Sequence, residues 1–140
     1  MQIHGSCASR AGDGVLLIGP PGAGKSDLLL RLLARGFELV ADDRVDVVDG
    51  IARPSPALAG LLEVRGLGIV RLPHVASARL ALAITLASSA SRMPAPTRHD
   101  AFDLPLVIID PQAASAPERV ALALDCALRR VIQVAGAFPA

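Results

Sequence analysis

The sequence predicts an α/β fold in which a mixed β-sheet is flanked by helices. Residues 15–43 have the pattern of a strand, a glycine-rich loop, a helix and a second strand joined by short connections. Apolar residues make up 52% of the 140 residues and charged residues 19%, so the chain can bury a core. This length is typical of one domain, and we expect residues 1–140 to form a single domain.

The expected elements of the first half follow from short apolar runs and the turn residues between them. The apolar run over residues 15–18 is typical of a strand in the middle of a sheet that is covered on both faces. In chain order we expect a strand over residues 2–9, a turn at residues 12–14, the strand 15–18, a helix over 26–35 ended by Gly36, and the strand 38–41.

The second half is expected to begin with a hairpin, because Asp49-Gly50 is a strong two-residue turn signal. A capping box at residues 115–118 predicts the start of the last helix. The expected elements are strands over 45–48 and 51–53, apolar runs over 61–64 and 69–72, a strand over 79–86, a loop over 88–103, a buried strand over 106–109, and a helix over 117–133.

Charge and hydropathy exclude several classes of protein. A net charge of +1 gives no general attraction to nucleic acid or to an anionic membrane. The longest stretch without charged residues or histidine, residues 80–91, is too short to span a bilayer, which takes roughly 18–20 residues. The first residues lack the basic start and apolar core of a signal peptide. We therefore expect a cytoplasmic protein without a nucleic-acid or membrane partner.

The two cysteines, Cys7 and Cys126, lie at opposite ends of the chain without a CxxC pair or a neighbouring histidine. That spacing does not fit a zinc site or a disulfide framework. Both are expected to be reduced and buried.

Residues 19–26, Gly-Pro-Pro-Gly-Ala-Gly-Lys-Ser, match the phosphate-binding pattern G-x-x-x-x-G-K-[S/T] at every specified position. Glycines allow the loop amides to face a phosphate chain, and the helix that follows directs its positive end at the same phosphates. The pattern predicts a P-loop kinase-type domain that uses ATP and Mg²⁺. The candidate nucleotide-binding residues are Gly19, Gly22, Ala23, Gly24, Lys25 and Ser26.

A phosphate-binding loop does not name a reaction, but three features narrow it. The only lysine, Lys25, is in the loop, so the Asn/Thr-Lys-x-Asp motif of guanine-specific GTPases cannot form. An LSGGQ-like segment of transporter ATPases is missing, and the chain has little room for the lid of a nucleoside monophosphate kinase.

Two strands that end in aspartate compete for the role of the acid that follows a P-loop. Asp42 and Asp43 follow the strand 38–41, and Asp110 follows the apolar run 106–109. Adjacent carboxylates repel each other unless a cation or proton lies between them, which favours a functional role for the first pair. Asp110 is also consistent with a turn residue before Pro111.

Four segments together resemble the HPr kinase/phosphorylase family in order and spacing: His4-Gly5, the P-loop, residues 39–45 and residues 62–69. The likeness is good to about residue 72 and looser beyond it. In length the chain resembles the short, alphaproteobacterial-type members that have only the C-terminal catalytic domain. The resemblance implies phosphoryl transfer from ATP to a serine of an HPr-type phosphocarrier protein of the sugar phosphotransferase system. It also implies the reverse phosphorylase reaction, in which inorganic phosphate removes that phosphate and forms pyrophosphate. It also implies a hexamer.

The resemblance assigns roles to individual residues. It makes Asp42 the general base, with Asp43 as its supporting neighbour, and it makes Ser26 and Glu63 ligands of Mg²⁺. Arg65 resembles a residue that stabilises charge near the phosphates, and His4 a histidine close to the catalytic acid.

The chain also departs from the family pattern. Pro21 and Asp27 stand where most members have serine and glutamate, and a Pro-Gly-Arg-Asn segment is missing from the C-terminal half. These departures leave two alternatives open. One is an ATP-binding regulatory module with reduced catalysis, and the other is a small-molecule kinase of the same fold.

Overall fold

The computed structural model describes residues 1–88 and 91–138, and within them the chain forms eleven strands, two α-helices and a 3-10 turn at Pro56–Leu58. The strands are β1 (Gln2–His4), β2 (Ser6–Arg10), β3 (Asp13–Ile18), β4 (Glu38–Ala41), β5 (Arg44–Val48), β6 (Ile51–Pro54), β7 (Leu61–Val64), β8 (Gly68–Arg71), β9 (Ala78–Leu86), β10 (Arg98–His99) and β11 (Leu104–Ile109). The helices are α1 (Lys25–Leu33) and α2 (Ala116–Ala127).

Nine of the strands form one mixed sheet, which confirms the predicted α/β class. Its main path runs β1-β5-β6-β9-β3-β2-β4, and β11 pairs with β9 while β10 pairs with β11. Strands β7 and β8 form a separate hairpin. The central position of β3, between β9 and β2, agrees with the wholly apolar run that predicted it.

Four strands end at the same edge of the sheet. Strands β3, β9 and β11 are mutually parallel. Strand β4 is antiparallel to β2, as β3 is, so β4 runs in the same direction as β3. The P-loop after β3, Asp42 after β4 and Asp110 after β11 therefore lie along one edge, where ligands bind in open α/β sheets.

Two apolar clusters cover the two faces of the sheet. The first joins β3 and β9 to the buried leucines of α1, Leu28, Leu29 and Leu32, and to Val120 and Leu124 of α2. The second contains Cys7, Val40, Val45 and Leu80 among other residues from β2 through β9. Because both ends of the strand order contribute to this second cluster, the sheet curls around it.

The N-terminal elements differ in detail from the expectation. Residues 2–9 do not form one strand, because the ladder changes partner at Gly5, between β1 and β2. The following turn lies at Ala11-Gly12, both with positive φ, and Asp13 already belongs to β3. The second predicted hairpin turn, at Asp49-Gly50, is confirmed, with φ of 53° and 75°.

The C-terminal elements needed larger corrections. Helix α2 ends at Ala127 instead of residue 133, and Arg129 has a φ of 60°. The capping box is wrong, because the Ser115 side chain makes no capping hydrogen bond and Glu118 pairs with Arg35 of the neighbouring helix region.

The expected strand over 106–109 is confirmed within β11, but its expected burial was wrong. Strand β11 lies near the edge of the sheet, and only Ile109 of its residues is buried. Part of the segment expected to be a loop, residues 98–99, forms β10 against it; residues 89 and 90 of that segment lie outside the described part of the chain. The α1 helix begins one residue before its expected start and ends at Leu33.

The cysteines agree only in part with the expectation. Cys7 is buried, and burial raises the pKa of its thiol to about 12, whereas Cys126 is partly exposed. In the part of the chain that the structure describes, neither helix has the length and hydropathy needed to cross a membrane.

Candidate active site

The P-loop connects the end of β3 to the start of α1. Gly22 and Gly24 have φ values of 81° and 100°, which side chains with a Cβ rarely adopt. The Ala23 amide donates to the Pro20 carbonyl at 3.0 Å and closes the turn. A Cβ at Gly19 would stand 3.0 Å from the Ala23 Cβ. The glycines of the motif are thus explained by the path of the loop itself.

Lys25, the first residue of α1, extends back across the loop. Its Nζ donates to the Gly19 carbonyl at 2.7 Å and to the Pro20 carbonyl at 3.1 Å. The amides of Lys25 and Ser26 belong to the first helical turn, where backbone donors have no acceptor within the helix. An ammonium group and a helix N-terminus at one loop make a site suited to phosphate.

Asp42 is the buried acid of this site. It follows β4, and only 7% of its surface is exposed. The Ser26 hydroxyl lies 2.9 Å from each of its carboxylate oxygens. The Ser6 hydroxyl, at the start of β2, donates to Oδ1 at 2.6 Å. A single carboxylate therefore joins the end of the P-loop to the first residue of another strand.

Asp43 follows Asp42 in the chain, and His4 lies on β1 opposite Arg44. Both residues are exposed, unlike Asp42. Asp43 is exposed and has a φ of 67°, so the chain turns sharply after Asp42. The Gly5 amide donates to the Asp43 carbonyl at 3.2 Å, and exposed His4 pairs with Arg44 across β1 and β5. A Cβ at Gly5 would stand 2.8 Å from the Leu17 carbonyl oxygen, so this close approach requires glycine.

Glu63 and Arg65 lie on the β7–β8 hairpin. Both are exposed, while Leu62 between the strands and α1 is buried in the first apolar cluster. No hydrogen bond or ion pair connects Glu63 or Arg65 to the P-loop or to Asp42 in the described residues. The described part of the chain contains no cluster of three or more histidine, cysteine or acidic side chains placed to hold a metal ion.

Asp110 has a different environment. Its Oδ1 accepts a hydrogen bond from the Gln112 amide at 2.9 Å, which is an Asx turn. The next residue, Pro111, is buried, and its carbonyl accepts a hydrogen bond from Arg31 Nη2 at 2.6 Å. A Cβ at Gly24 would meet Pro111 at 3.4 Å, so this turn supports the P-loop from outside.

The site therefore contains one residue that the sequence did not reveal. Ser6 contacts Asp42, but a serine at the start of a strand carries no signal of function in a single sequence. The proximity of Ser26 to Asp42 was not predicted either; it arises because β3 and β4 run in the same direction and end at this edge.

Comparison with known proteins identifies the family. The family model described as "HPr Serine kinase C-terminal domain" matches residues 1–87. The chain belongs to this family. The matched region holds the P-loop, Asp42 and the β7–β8 hairpin, and it ends just after β9.

Two relatives named HPr kinase/phosphorylase illustrate how this HPr kinase-family chain relates to longer members. The protein of Clostridium novyi (strain NT) is 46% identical in an alignment 76 residues long, which covers 51% of this chain and 25% of that protein. The protein of Cupriavidus metallidurans is 35% identical in an alignment 149 residues long, which covers 94% of this chain and 46% of that protein. The chain thus spans less than half the length of these curated relatives.

A solved structure shows the same fold. The structure titled "Structure of the Hpr(Ser) kinase/phosphatase from Coxiella burnetii" aligns with a TM-score of 0.72, covering 93% of this chain and 89% of that one. Its sequence identity is 21%. The fold extends across the C-terminal half, where α2 and β11 complete the sheet and its cover.

Proposed function

We propose that this chain is an ATP- and Mg²⁺-dependent serine kinase that acts on an HPr-type phosphocarrier protein. One observation carries the proposal: the buried Asp42 carboxylate contacts Ser26, the last residue of the P-loop, at 2.9 Å. A carboxylate at this distance from the phosphate-binding loop is placed to accept a proton from a hydroxyl that attacks the terminal phosphate.

ATP binding is supported by the loop itself. The phosphates of ATP would contact the first amides of α1 and the Lys25 ammonium, which already hydrogen-bonds to carbonyls of the loop. Pro20 and Pro21 lack N–H groups, so the phosphate contacts would come from Gly22 onward.

The donors present fit a magnesium ion. Mg²⁺ prefers hard oxygen ligands and keeps several waters or phosphate oxygens, so it needs few protein ligands. The Ser26 hydroxyl would hold it, with Glu63 as the second ligand that the family resemblance suggests. When bound, the ion would neutralise phosphate charge.

The proposed transfer step joins the acceptor serine to the γ-phosphate of ATP. The acceptor serine hydroxyl gives its proton to Asp42, and its oxygen forms a bond to the γ-phosphorus. The bond from that phosphorus to the β–γ bridging oxygen breaks, and the electron pair leaves with ADP. Asp43 would support the acid, while His4 and Arg65 would act at the periphery, His4 near Asp42 and Arg65 near the phosphates.

The acceptor is proposed from the family and from the names of the relatives, HPr kinase/phosphorylase. The same relatives motivate the reverse reaction, in which inorganic phosphate removes the serine phosphate and forms pyrophosphate. A homo-oligomer, a hexamer by family resemblance, and a cytoplasmic location belong to the same proposal.

The test is phosphate transfer to purified HPr from the same organism, read by intact mass. The reaction contains the chain, ATP and Mg²⁺, and the controls are HPr with its target serine replaced by alanine and a reaction without Mg²⁺. We expect one added phosphate on wild-type HPr only. If the mass of HPr stays unchanged while ATP raises the Tm of this chain, the proposed kinase function is contradicted. The ATP-binding regulatory module is then favoured.

The small-molecule kinase gives a third result. It predicts ATP consumption that a metabolite stimulates and HPr does not. Comparing ADP release with and without HPr, and then with a set of hydroxylated metabolites, separates this reaction from protein phosphorylation.

A further inference from the structure

Ser6 is a buried polar residue without a role in the proposed transfer step. It is the first residue of β2, its side chain is fully buried, and its hydroxyl donates to Asp42 Oδ1 at 2.6 Å. A buried hydroxyl needs a hydrogen-bond partner, and here the partner is the acid of the candidate site.

The Asp42 carboxylate needs an external contact to fix its rotation. Ser26 Oγ lies 2.9 Å from Oδ1 and 2.9 Å from Oδ2, and a hydroxyl has one hydrogen, so Ser26 does not distinguish the two oxygens. Ser6 contacts Oδ1 alone. The Ser6 hydrogen bond is therefore the asymmetric contact that makes the oxygens different.

We propose that Ser6 is a positioning residue that reserves Asp42 Oδ1 for the protein and leaves Oδ2 as the oxygen that receives the acceptor's proton. This inference rests on the proposed kinase function. Proton transfer requires an oxygen held within hydrogen-bond reach and correctly oriented, and a carboxylate that rotates freely spends less time in that arrangement.

The strand offers a matched control for this role. Ser9 lies three residues further along β2 and is also buried, and its Oγ has no hydrogen-bond partner in the described part of the chain. Successive strand residues alternate between faces, so Ser9 faces away from the side that Ser6 occupies. Replacing Ser9 by alanine makes the same chemical change without touching Asp42.

The experiment measures kcat and the KM for ATP in the HPr phosphorylation assay for wild type, Ser6→Ala, Ser6→Thr and Ser9→Ala. We expect Ser6→Ala to lower kcat about 10-fold with the KM for ATP within about twofold, since orientation and not nucleotide binding is lost. Ser6→Thr keeps the hydroxyl and should recover most of kcat. Ser9→Ala should match wild type.

Two results would overturn the proposal. One is a kcat for Ser6→Ala equal to that of Ser9→Ala. The other is an equal loss of kcat in Ser6→Ala and in a Ser6→Thr protein whose Tm matches wild type, because the hydroxyl would then be irrelevant.

A double-mutant cycle on stability separates this proposal from the proposed function. Ser6→Ala should lower Tm by about 2–6 °C in the wild-type background and by less in the Asp42→Ala background, where its partner is gone. If wild type phosphorylates no HPr, the kinase proposal fails, and the cycle still reports on Ser6. Equal Tm losses in both backgrounds would refute the positioning of Asp42 by Ser6.

Discussion

Asp42 and Asp110 are two aspartates that end parallel strands at the same edge of one sheet, and their surroundings differ completely. Asp42 accepts hydrogen bonds from two hydroxyl groups, one of them from the P-loop. Asp110 accepts one from the backbone amide two residues later and forms a turn.

The difference shows that a strand ending in an acid is a weak signal by itself. Strand β11 lies toward the edge of the sheet, so the residue after it enters a turn that packs Pro111 against the P-loop. Strand β4 leads its acid to Ser26 because the chain turns at Asp43 and pairs with Gly5. Both aspartates lie at the same edge of the sheet, but only Asp42 contacts the Ser26 hydroxyl of the P-loop.

The largest expected effect on ATP binding comes from Lys25, the cation on the Asp42 side of α1. Lys25→Ala should weaken ATP binding about 100-fold, because a charge-assisted contact to phosphate is lost. Arg31→Ala is the matched variant on the Asp110 side, since Arg31 binds the Pro111 carbonyl and not the loop. It should keep ATP affinity within a few fold. Isothermal titration with ATP and Mg²⁺ measures the ATP affinity of both variants. Equal losses of affinity would contradict the claim that the Asp42 side, and not the Asp110 side, binds ATP.

The two acids should also differ in stability, though by less. Asp42→Ala leaves the buried Ser6 hydroxyl and the half-buried Ser26 hydroxyl without their acceptor and should cost about 2–3 kcal/mol. Asp110→Ala removes one hydrogen bond of a surface turn and should cost about 1 kcal/mol. Urea denaturation of the two variants gives the comparison. A larger loss for Asp110→Ala would mean that the β11 turn, and not Asp42, is the centre of the network.

The expected effect that vanishes near neutral pH is a pH dependence at Cys7, which follows Ser6 in β2. Burial raises the pKa of this thiol from 9.0 to about 12. The folded chain therefore holds the thiol proton more tightly than the unfolded chain, so its stability contribution is complete below pH 9. It declines between pH 9 and 12 by at most about 1.4 kcal/mol per unit.

Urea denaturation of wild type and Cys7→Ala at pH 8 and pH 10 measures this dependence. Between pH 8 and pH 10 the free energy of unfolding should fall more in wild type than in Cys7→Ala, because only wild type carries the Cys7 thiol. Rapid labelling of Cys7 by a thiol reagent in the native protein at pH 8 would contradict its burial and show instead that β2 opens.

Much of the site was predictable because it is local in sequence. The P-loop requires glycines at positive φ, a preceding buried strand and a following helix, and all three are visible within residues 15–33. Asp42 could be singled out because it and Asp43 are adjacent acids directly after the predicted strand 38–41. The hairpin at Asp49-Gly50 was predictable for the same reason, since its turn residues determine it.

The errors arose where distant residues decide the structure. Ser115 and Glu118 fit a capping box, but Glu118 forms an ion pair with Arg35, which no local pattern reveals. The apolar run 106–109 predicted a buried strand, and its place near the sheet edge leaves Ile108 exposed. Ser6 was missed because its role depends on a contact 36 residues away in sequence.

Whether Asp42 and not Asp110 is the base is tested most directly by single-turnover phosphate transfer to HPr. The rate is measured for Asp42→Asn and Asp110→Asn, together with the ATP affinity of each variant. Asparagine keeps the size of the side chain and its carbonyl oxygen, so the Asx turn survives in Asp110→Asn, whereas Asp42→Asn loses the carboxylate that we propose as the base. We expect Asp42→Asn to lower the transfer rate by about 10²–10⁴-fold with ATP affinity retained, and Asp110→Asn to stay within about twofold of wild type. Wild-type transfer by Asp42→Asn, or a comparable loss in Asp110→Asn, would contradict the assignment of Asp42 as the base.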